Sequence, residues 1–531
     1  MPSDLERRLR DARPALPEPG EESTSRARAA VLERRRPRGV GPARWAGGRP
    51  ARLLLAAALL AAAGGAVAAT LLREGPATAA PPPLQWGPAE LLSDRFATFA
   101  SPAVAVSGSG DALLAWLQGA RLDARTHAAG GGWSPAQTLS SAGAVASRPA
   151  AAMDAGGGGI VVWRERRSDR MVTMRLRLSS GAPAGVLRGR AGESFVIVAR
   201  RRTAGGEWGP LETVSDPSRN SRDAAEPQVA IARDGTALAA WPRGPWVEFR
   251  SRRPGGPWGP VGRLDAGGIA VQVRLALDPS GAAGVVWSAR RLNPAPASGP
   301  RQFYVVRAAL RPAGGAWEAP ADVSGRLRIA PGGAVIAVDG RLRAAAVWGN
   351  LGDPTPGGDS GQVAGAVRRG GGGWSAPRAL DPDAPPPPMG TLLWPKATVA
   401  LDGDGTAVAV FNRVTGPAFA TLGPDGAPSP PRLLGGRLAG WSTLQTDGTG
   451  GLLLVLRTPR GLELRSWRPG QEWTPARAVA GSSKANSPAL AARSGGAILA
   501  WAQFRGTGST PLQVRAALGR RVDSASRTEA P

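Results

Sequence analysis

The 531-residue chain has no cysteine, one histidine (His127), one tyrosine (Tyr304) and two lysines (Lys396 and Lys484). Without cysteine there is no disulfide, no thiol nucleophile, no cysteine-held zinc and no iron–sulfur cluster. A single imidazole excludes any site that needs two. Gly-x-Ser-x-Gly, Walker A and Gly-x-Gly-x-x-Gly are absent from any strand–turn–helix setting. No cofactor and no metal site is expected. Removing the two lysines from 66 basic residues leaves 64 arginines, against 40 acidic residues, for a net charge of +26. With 74 Gly and 51 Pro this is the pattern of GC-rich coding, which accounts for part of the charge.

Long apolar runs are also missing, with one exception. Residues 53–72, LLLAAALLAAAGGAVAATLL, carry no charge over twenty positions, enough for a helix of about 30 Å that crosses a bilayer. Residues 1–52 hold 13 arginines against 7 acidic residues, and beyond the run only Arg73 precedes Arg95. That asymmetry places the N-terminus in the cytoplasm and everything after about 75 outside. The alternative is a signal peptide cleaved near Ala79, after the small-x-small site Ala77-Thr78-Ala79. Both readings export the remainder. The expected layout is a mostly disordered, arginine-rich cytoplasmic tail (1–50), a single membrane helix (51–72), a Pro/Ala-rich linker (73–85), a folded domain (86–521) and a disordered end (522–531).

Two motifs repeat through the exported part. A Trp-x-Pro strand recurs seven times, for example WGPAELLS (86–93), WSPAQTLS (133–140) and WGPLETVS (208–215). Interleaved with it are eight copies of an apolar hairpin with a Gly/Asp turn, most ending on an aromatic. Examples are PAVAVSGSGDALLAW (102–116), PQVAIARDGTALAAW (227–241) and VRLALDPSGAAGVVW (273–287). A third strand rich in alternating Val and Arg, such as WVEFRSR (246–252), lies between them. A spacing floor near 45 residues is four short strands with their turns, one blade of a β-propeller. The expected fold is all-β, with eight four-stranded blades. Seven remains an alternative, because the copy before blade seven is only the degenerate PPRLLGG (430–436). The first Trp-x-Pro strand lacks a hairpin before it, and the last hairpin lacks a Trp-x-Pro strand after it. Residues 86–93 are therefore expected to complete the last blade and close the ring.

This architecture resembles the exported, membrane-anchored β-propeller repeat proteins of bacteria, and is loosely similar to sialidase-type and quinoprotein-type propellers. The resemblance covers about 86–521. The sialidase Asp-box, Ser-x-Asp-x-Gly-x-Thr-Trp, is not matched: in RDGTALAAW, Asp234 stands seven residues before Trp241. The resemblance implies a Tyr nucleophile paired with Glu, and the sole tyrosine, Tyr304, lies in the apolar strand FYVVR.

Candidate functional residues are those that break the repeat. The hairpin and Trp-x-Pro tryptophans read as packing between blades, whereas Trp246, Trp394 and Trp441 have no counterparts and are candidates for ligand stacking. The insert 164–202 carries 11 arginines against three acidic residues, and Arg164, Arg166, Arg167, Arg170, Arg175 and Arg177 are candidates for holding an anionic ligand. The competing reading is a solvated hairpin. Phe195 is its only aromatic, so nucleic acid is not expected. Asp402-Gly403-Asp404-Gly405 has half the look of a calcium loop but reads as a hairpin turn. His127, in a Gly-rich polar run, reads as exposed. Loops 288–302, 350–362 and 381–395 are where a propeller would place recognition. The leading function is a membrane-anchored, non-enzymatic propeller that binds an envelope polysaccharide or a protein partner. The alternative is a glycan-active hydrolase or lyase, for which Glu226 and Asp223 are the nearest carboxylates to the inner strands. Signalling across the membrane to the tail is a third reading.

Overall fold

The computed structural model describes residues 84–521 apart from 94–100, 168–170, 178–182, 191–193, 217–225, 294–300, 328–332, 350–362, 384–396, 414–415, 436–441 and 505–511. The expectations for the tail, the membrane helix, the linker up to 83 and the final ten residues lie outside the described residues. Among those described, no helix is long and apolar enough to cross a membrane.

The chain forms eight antiparallel sheets of four strands, here called a to d from the inside outward. Blade 1 is Ala103–Val106, Ala112–Gln118, Arg121–His127 and Gln137–Thr138. Blade 2 is Val145–Met153, Gly159–Arg167, Ser194–Arg202 and Glu212–Thr213, with a separate two-stranded ribbon, Met171–Arg177 and Pro183–Arg190, between b and c. Blade 3 is Gln228–Ile231, Ala237–Arg243, Trp246–Arg252 and Gly262–Asp265. Blade 4 is Ile269–Leu277, Ala283–Leu292, Gln302–Arg311 and Ala321–Asp322. Blade 5 is Val335–Val338, Ala344–Gly349, Val363–Arg368 and Arg378–Ala379. Blade 6 is Ala397–Leu401, Ala407–Arg413, Gly416–Leu422 and Arg432–Leu433. Blade 7 is Ser442–Thr446, Leu452–Thr458, Gly461–Trp467 and Arg477–Ala478. Blade 8 is Ala485–Arg493, Gly496–Phe504 and Leu512–Arg521, and its outer strand comes from the start of the domain.

That outer strand is Leu84–Trp86 with Glu90–Leu91, both paired to Leu512–Arg521. Ring closure therefore happens as the unmatched repeat ends require. The backbone N–H of Val514 donates to Ser93 Oγ (2.8 Å), joining residues 421 positions apart. The degenerate PPRLLGG supplies the outer strand of blade 6, Arg432–Leu433, so the count is eight and the seven-blade alternative falls.

The core lies between blades. Eight apolar clusters each straddle one blade interface, from blades 1 and 2 round to blades 8 and 1. The hairpin aromatics sit in these interfaces: Trp163, Trp241, Trp287, Trp348, Phe411 and Trp501 are fully buried. A buried indole N–H is costly unless it is bonded, and five of the six hairpin tryptophans have an internal acceptor, whereas Trp348 Nε1 has none among the described residues. Trp116 and Trp501 donate to Gln118 and Gln503 two residues on (3.2 and 3.1 Å), and Trp287 donates to the Ala266 carbonyl (3.1 Å).

His127 is a correction. It is the last residue of strand c in blade 1, only 4% exposed, with its ring 5.3 Å from that of Trp133, edge to face. Arg202, Arg252 and Arg368 make the same backbone bridge, each to the Trp six residues later. The Gly-rich run that suggested exposure begins only at the next turn.

Candidate functional site

The a–b connections and c–d connections leave one rim of the ring, and the b–c and d–a connections leave the other. On the first rim lengths are fixed. Every a–b turn of blades 1 to 7 has the same length, from 107–111 in blade 1 to 447–451 in blade 7. Every c–d connection does too, from 128–136 to 468–476. On the second rim b–c runs from 119–120 in blade 1 to 168–193 in blade 2, and d–a from 266–268 to 380–396. The arginine-bearing insert and the loops at 288–302, 350–362 and 381–395 all belong to this variable rim.

The constant rim is built of self-satisfied turns. Asp402 Oδ1 accepts from the N–H groups of Asp404 (3.0 Å) and Thr406 (2.8 Å), and Gly405 takes a φ of 83°. Asp154, Asp278 and Asp447 accept within their own turns in the same way. The half-calcium-loop resemblance at 402–405 is thus a capped turn, and among the described residues no cluster of metal-ligating side chains forms.

At the variable rim the inner strands differ at one position. The residue paired opposite the one before the hairpin aromatic is Ala103, Ala150 and Gln228 in blades 1 to 3. In blades 5, 6 and 8 it is Val335, Thr398 and Ala489. In blade 4 it is Arg274. Burial lowers the pKa of Arg274, the Glu226 carboxylate opposes this, and the Arg148 charge adds to it. Glu226, just before strand a of blade 3, is half-buried and ion-paired to Arg148 on strand a of blade 2. Arg148 takes a left-handed φ of 37° directly before Pro149, where its strand bulges; Ser487 before Pro488 does the same in blade 8. A non-glycine residue held there costs about 1–3 kcal/mol. The channel mouth at blades 2 to 4 therefore carries two guanidiniums about one carboxylate.

Exposed apolar side chains gather at the same arc. Trp246 begins strand c of blade 3 and is 38% exposed, and Val145, Ile269 and Leu292 are exposed at rim-side strand ends of blades 2 and 4. Five described carboxylates of the rim are committed to the fold. Glu248 is wholly buried and accepts from Trp241 Nε1 (3.1 Å), Arg243 (3.1 Å) and Arg263 (3.0 Å). Glu165 accepts from the Ser141 N–H (2.9 Å) and hydroxyl (3.1 Å). Asp322 is held by Arg291 and Arg307, Asp216 by Arg250, and Asp381 by Arg413. Burial raises the pKa of Asp381, and the Arg413 charge opposes it.

Of the other candidates, Arg164 and Arg166 end strand b of blade 2 on the variable rim, and the Arg164 guanidinium lies 3.6 Å from the centre of the Phe195 ring. Arg167 ends the same strand, while Arg175 and Arg177 lie on the ribbon, Arg175 opposite Val186 and Arg177 opposite Pro183. Trp394, Trp441, Arg170 and Asp223 lie outside the described residues. Tyr304, half-buried on strand c of blade 4, exchanges two backbone hydrogen bonds with Leu327 (2.8 and 2.9 Å). Arg274 and Arg148 were not expected. The signal for Arg274 was the one charged residue in the apolar run VRLAL, visible once the eight hairpins are aligned on their aromatics.

No family model matches the chain, and no curated protein does. Solved structures that are loosely similar include a protein of unknown function from Dyadobacter fermentans, at 12% identity and TM-score 0.39, spanning 83% of this chain and 99% of that one. Polysaccharide lyase Uly1 is 10% identical at TM-score 0.43, over 85% of this chain and 94% of that one. The NanB sialidase of Streptococcus pneumoniae is 10% identical at TM-score 0.37, over 62% and 68%. Likenesses of this size carry no argument about chemistry. The eight-bladed ring stands on its own strand pairings.

Proposed function

We propose that this protein is an exported, membrane-anchored binding module that holds an acidic envelope polysaccharide on its variable rim. The observation that carries the reading is that, through blades 1 to 7, connection lengths vary on one rim and not on the other, and that Arg274 and the arginine-bearing insert lie on the variable side. Loops on a rigid frame diverge where they meet ligand, and fixed cations at a low-dielectric mouth attract a polyanion. Trp246 offers an aromatic face for a sugar ring beside them. The commitment of Glu165, Glu248, Asp216, Asp322 and Asp381 to internal cations or N–H donors supports binding over bond cleavage, which requires a carboxyl pair about 5–10 Å apart at the substrate. Glu226, a carboxylate at the mouth, favours the second reading, a glycan-cleaving enzyme.

One experiment separates them. Full-length protein in detergent is passed over immobilised hyaluronan and over neutral dextran, and released reducing ends are assayed in the eluate. Binding requires retention on hyaluronan alone, weakened by salt and by Arg274→Gln or Trp246→Ala, with no new ends. New ends, abolished by Glu226→Gln, establish the enzyme. A failure to retain any acidic polymer refutes the polysaccharide and leaves a protein partner.

A further inference from the structure

We infer that the ribbon inserted in blade 2 binds one extended strand of a phosphodiester polymer, with a phosphate at each of four arginine levels. The site lies on the variable rim and rests on the reading of that rim only in taking the insert to meet a polyanion; Arg274 plays no part in it. Register arranges the charge. Residues directly opposite in an antiparallel pair share a face, and faces alternate along each strand. Val172 pairs with Gly189, Met174 with Leu187 and Leu176 with Gly185, so one face carries no charge. On the other face Met171 pairs with Arg190, Thr173 with Arg188 and Arg175 with Val186. Arg177 keeps the face of Arg175, because the bulge between Pro183 and Gly185 belongs to the opposite strand. Each of four successive levels thus carries one arginine, in the order Arg190, Arg188, Arg175, Arg177. A two-stranded ribbon holds in water only with its apolar face covered, which leaves the arginine face for a ligand.

The insert cannot neutralise this row by itself. Residues 171–190 include these four arginines and no acidic residue. Of the three carboxylates in the whole insert, Glu165 accepts from Ser141 and from the Trp163 N–H. Asp169 and Glu193 are then all that it can set against 11 arginines. Four like charges in file repel one another, and a polyanion laid along them removes that repulsion while shedding its own counterions.

Spacing selects the polyanion. Successive levels on one face are two residues apart, about 7 Å, and four levels run for about 20 Å. Two residues of extended backbone are six bonds long and reach about 7 Å, so any extended chain of six single bonds covers the same interval. Six bonds separate neighbouring phosphorus atoms when phosphodiesters are joined through three carbons, as in a glycerol phosphate chain. Single-stranded nucleic acid shares that interval, but its binders add aromatic rings on which the bases stack. Residues 171–190 include no aromatic.

The test is fluorescence anisotropy of full-length protein in non-ionic detergent with three labelled oligomers of equal phosphate number: trimethylene-linked, hexa(ethylene glycol)-linked and thymidylate. The trimethylene oligomer is expected to bind at least about tenfold more tightly than the hexa(ethylene glycol) one, whose long spacers dilute each phosphate at the next level. Its log affinity is expected to fall with log salt at a slope of about −3, the value for four contacts on a single strand. Arg175→Gln/Arg188→Gln is expected to reduce that slope to about −1.4 and to weaken binding by about tenfold or more. Two charge-preserving swaps separate the row from bulk charge. Arg175→Val/Val186→Arg keeps an arginine on the same level and face, and is expected to bind at least about tenfold more tightly than Met174→Arg/Arg175→Met, which moves it to the apolar face. Equal affinity for the two spacings, full affinity in Arg175→Gln/Arg188→Gln, or the reverse ranking of the swaps overturns the site. Tighter binding of thymidylate overturns the polymer and assigns the ribbon to single-stranded nucleic acid. Retention on hyaluronan with no oligomer bound sinks the ribbon site and leaves the rim reading standing; oligomer binding without retention on hyaluronan does the reverse.

Discussion

Replacing Glu248 with leucine tests how the rim is held together. The carboxylate is fully buried and serves three donors: Trp241 Nε1, Arg243 and Arg263. They do not contribute equally. The Arg263 side chain is 53% exposed, so its pair with Glu248 is worth about 0–1 kcal/mol. Arg243 is 12% exposed, and removing its partner strands a cation in a poorly solvated place, at about 3–5 kcal/mol. An orphaned indole N–H adds about 1–3 kcal/mol, only partly additive. Glu248→Leu is therefore expected to destabilise by about 4–5 kcal/mol. The sharper expectation concerns the double variant Glu248→Leu/Arg243→Leu. Removing both members leaves no uncompensated charge, so the loss falls to about 1–3 kcal/mol, chiefly the Trp241 N–H. Urea unfolding followed by tryptophan fluorescence measures both. A single variant that loses less than about 1 kcal/mol, or a double variant as unstable as the single, refutes the reasoning.

Three further outcomes follow from the described turns and interfaces. Burial, reinforced by the charge of Arg520, lowers the pKa of His127 below its ordinary 6.5. The unfolded chain therefore takes the proton first, and stability falls as pH drops below about 6.5; His127→Leu, with the leucine that blade 6 has at Leu422, should flatten that slope in urea midpoints between about pH 7 and 5.5. Gly448 has a φ of 74°, and a Cβ there would collide with the backbone N of Ser494 in blade 8. Gly448→Ala should cost at least about 1–2 kcal/mol from the backbone alone, and more from the collision, read as a lowered unfolding midpoint. Asp402→Ala should cost about 1 kcal/mol through its lost turn hydrogen bonds, and calcium should not raise the midpoint of the unaltered protein.

The fold was legible because each blade repeats turns of fixed length around a buried aromatic, so that spacing and side-chain type recur together. Residues 86–93 could be assigned to blade 8 from the unmatched repeat ends alone, although the pairing begins two residues earlier, at Leu84. His127 was misread because local composition reports the turn that follows it, whereas its burial is set by Trp133 across the c–d connection. Arg274 was hidden for a similar reason. One charge in an apolar strand says little until register places it level with Ala103 and Val335. Glu165 and Gln118 did leave a trace, a polar acceptor two residues after the hairpin tryptophan in blades 1, 2 and 8. That spacing is the signature of a capped indole. The arginine insert was visible as charge, but charge alone does not state what it meets.

Leu84 lies opposite Arg521 in the closing pair, at the end of the blade 8 strand that reaches the constant rim. Both ends of the ring therefore leave from the side of the short capped turns, beside one another. A pull on either end of the ring is therefore borne by the closing strand pair itself, Leu84–Trp86 on Leu512–Arg521.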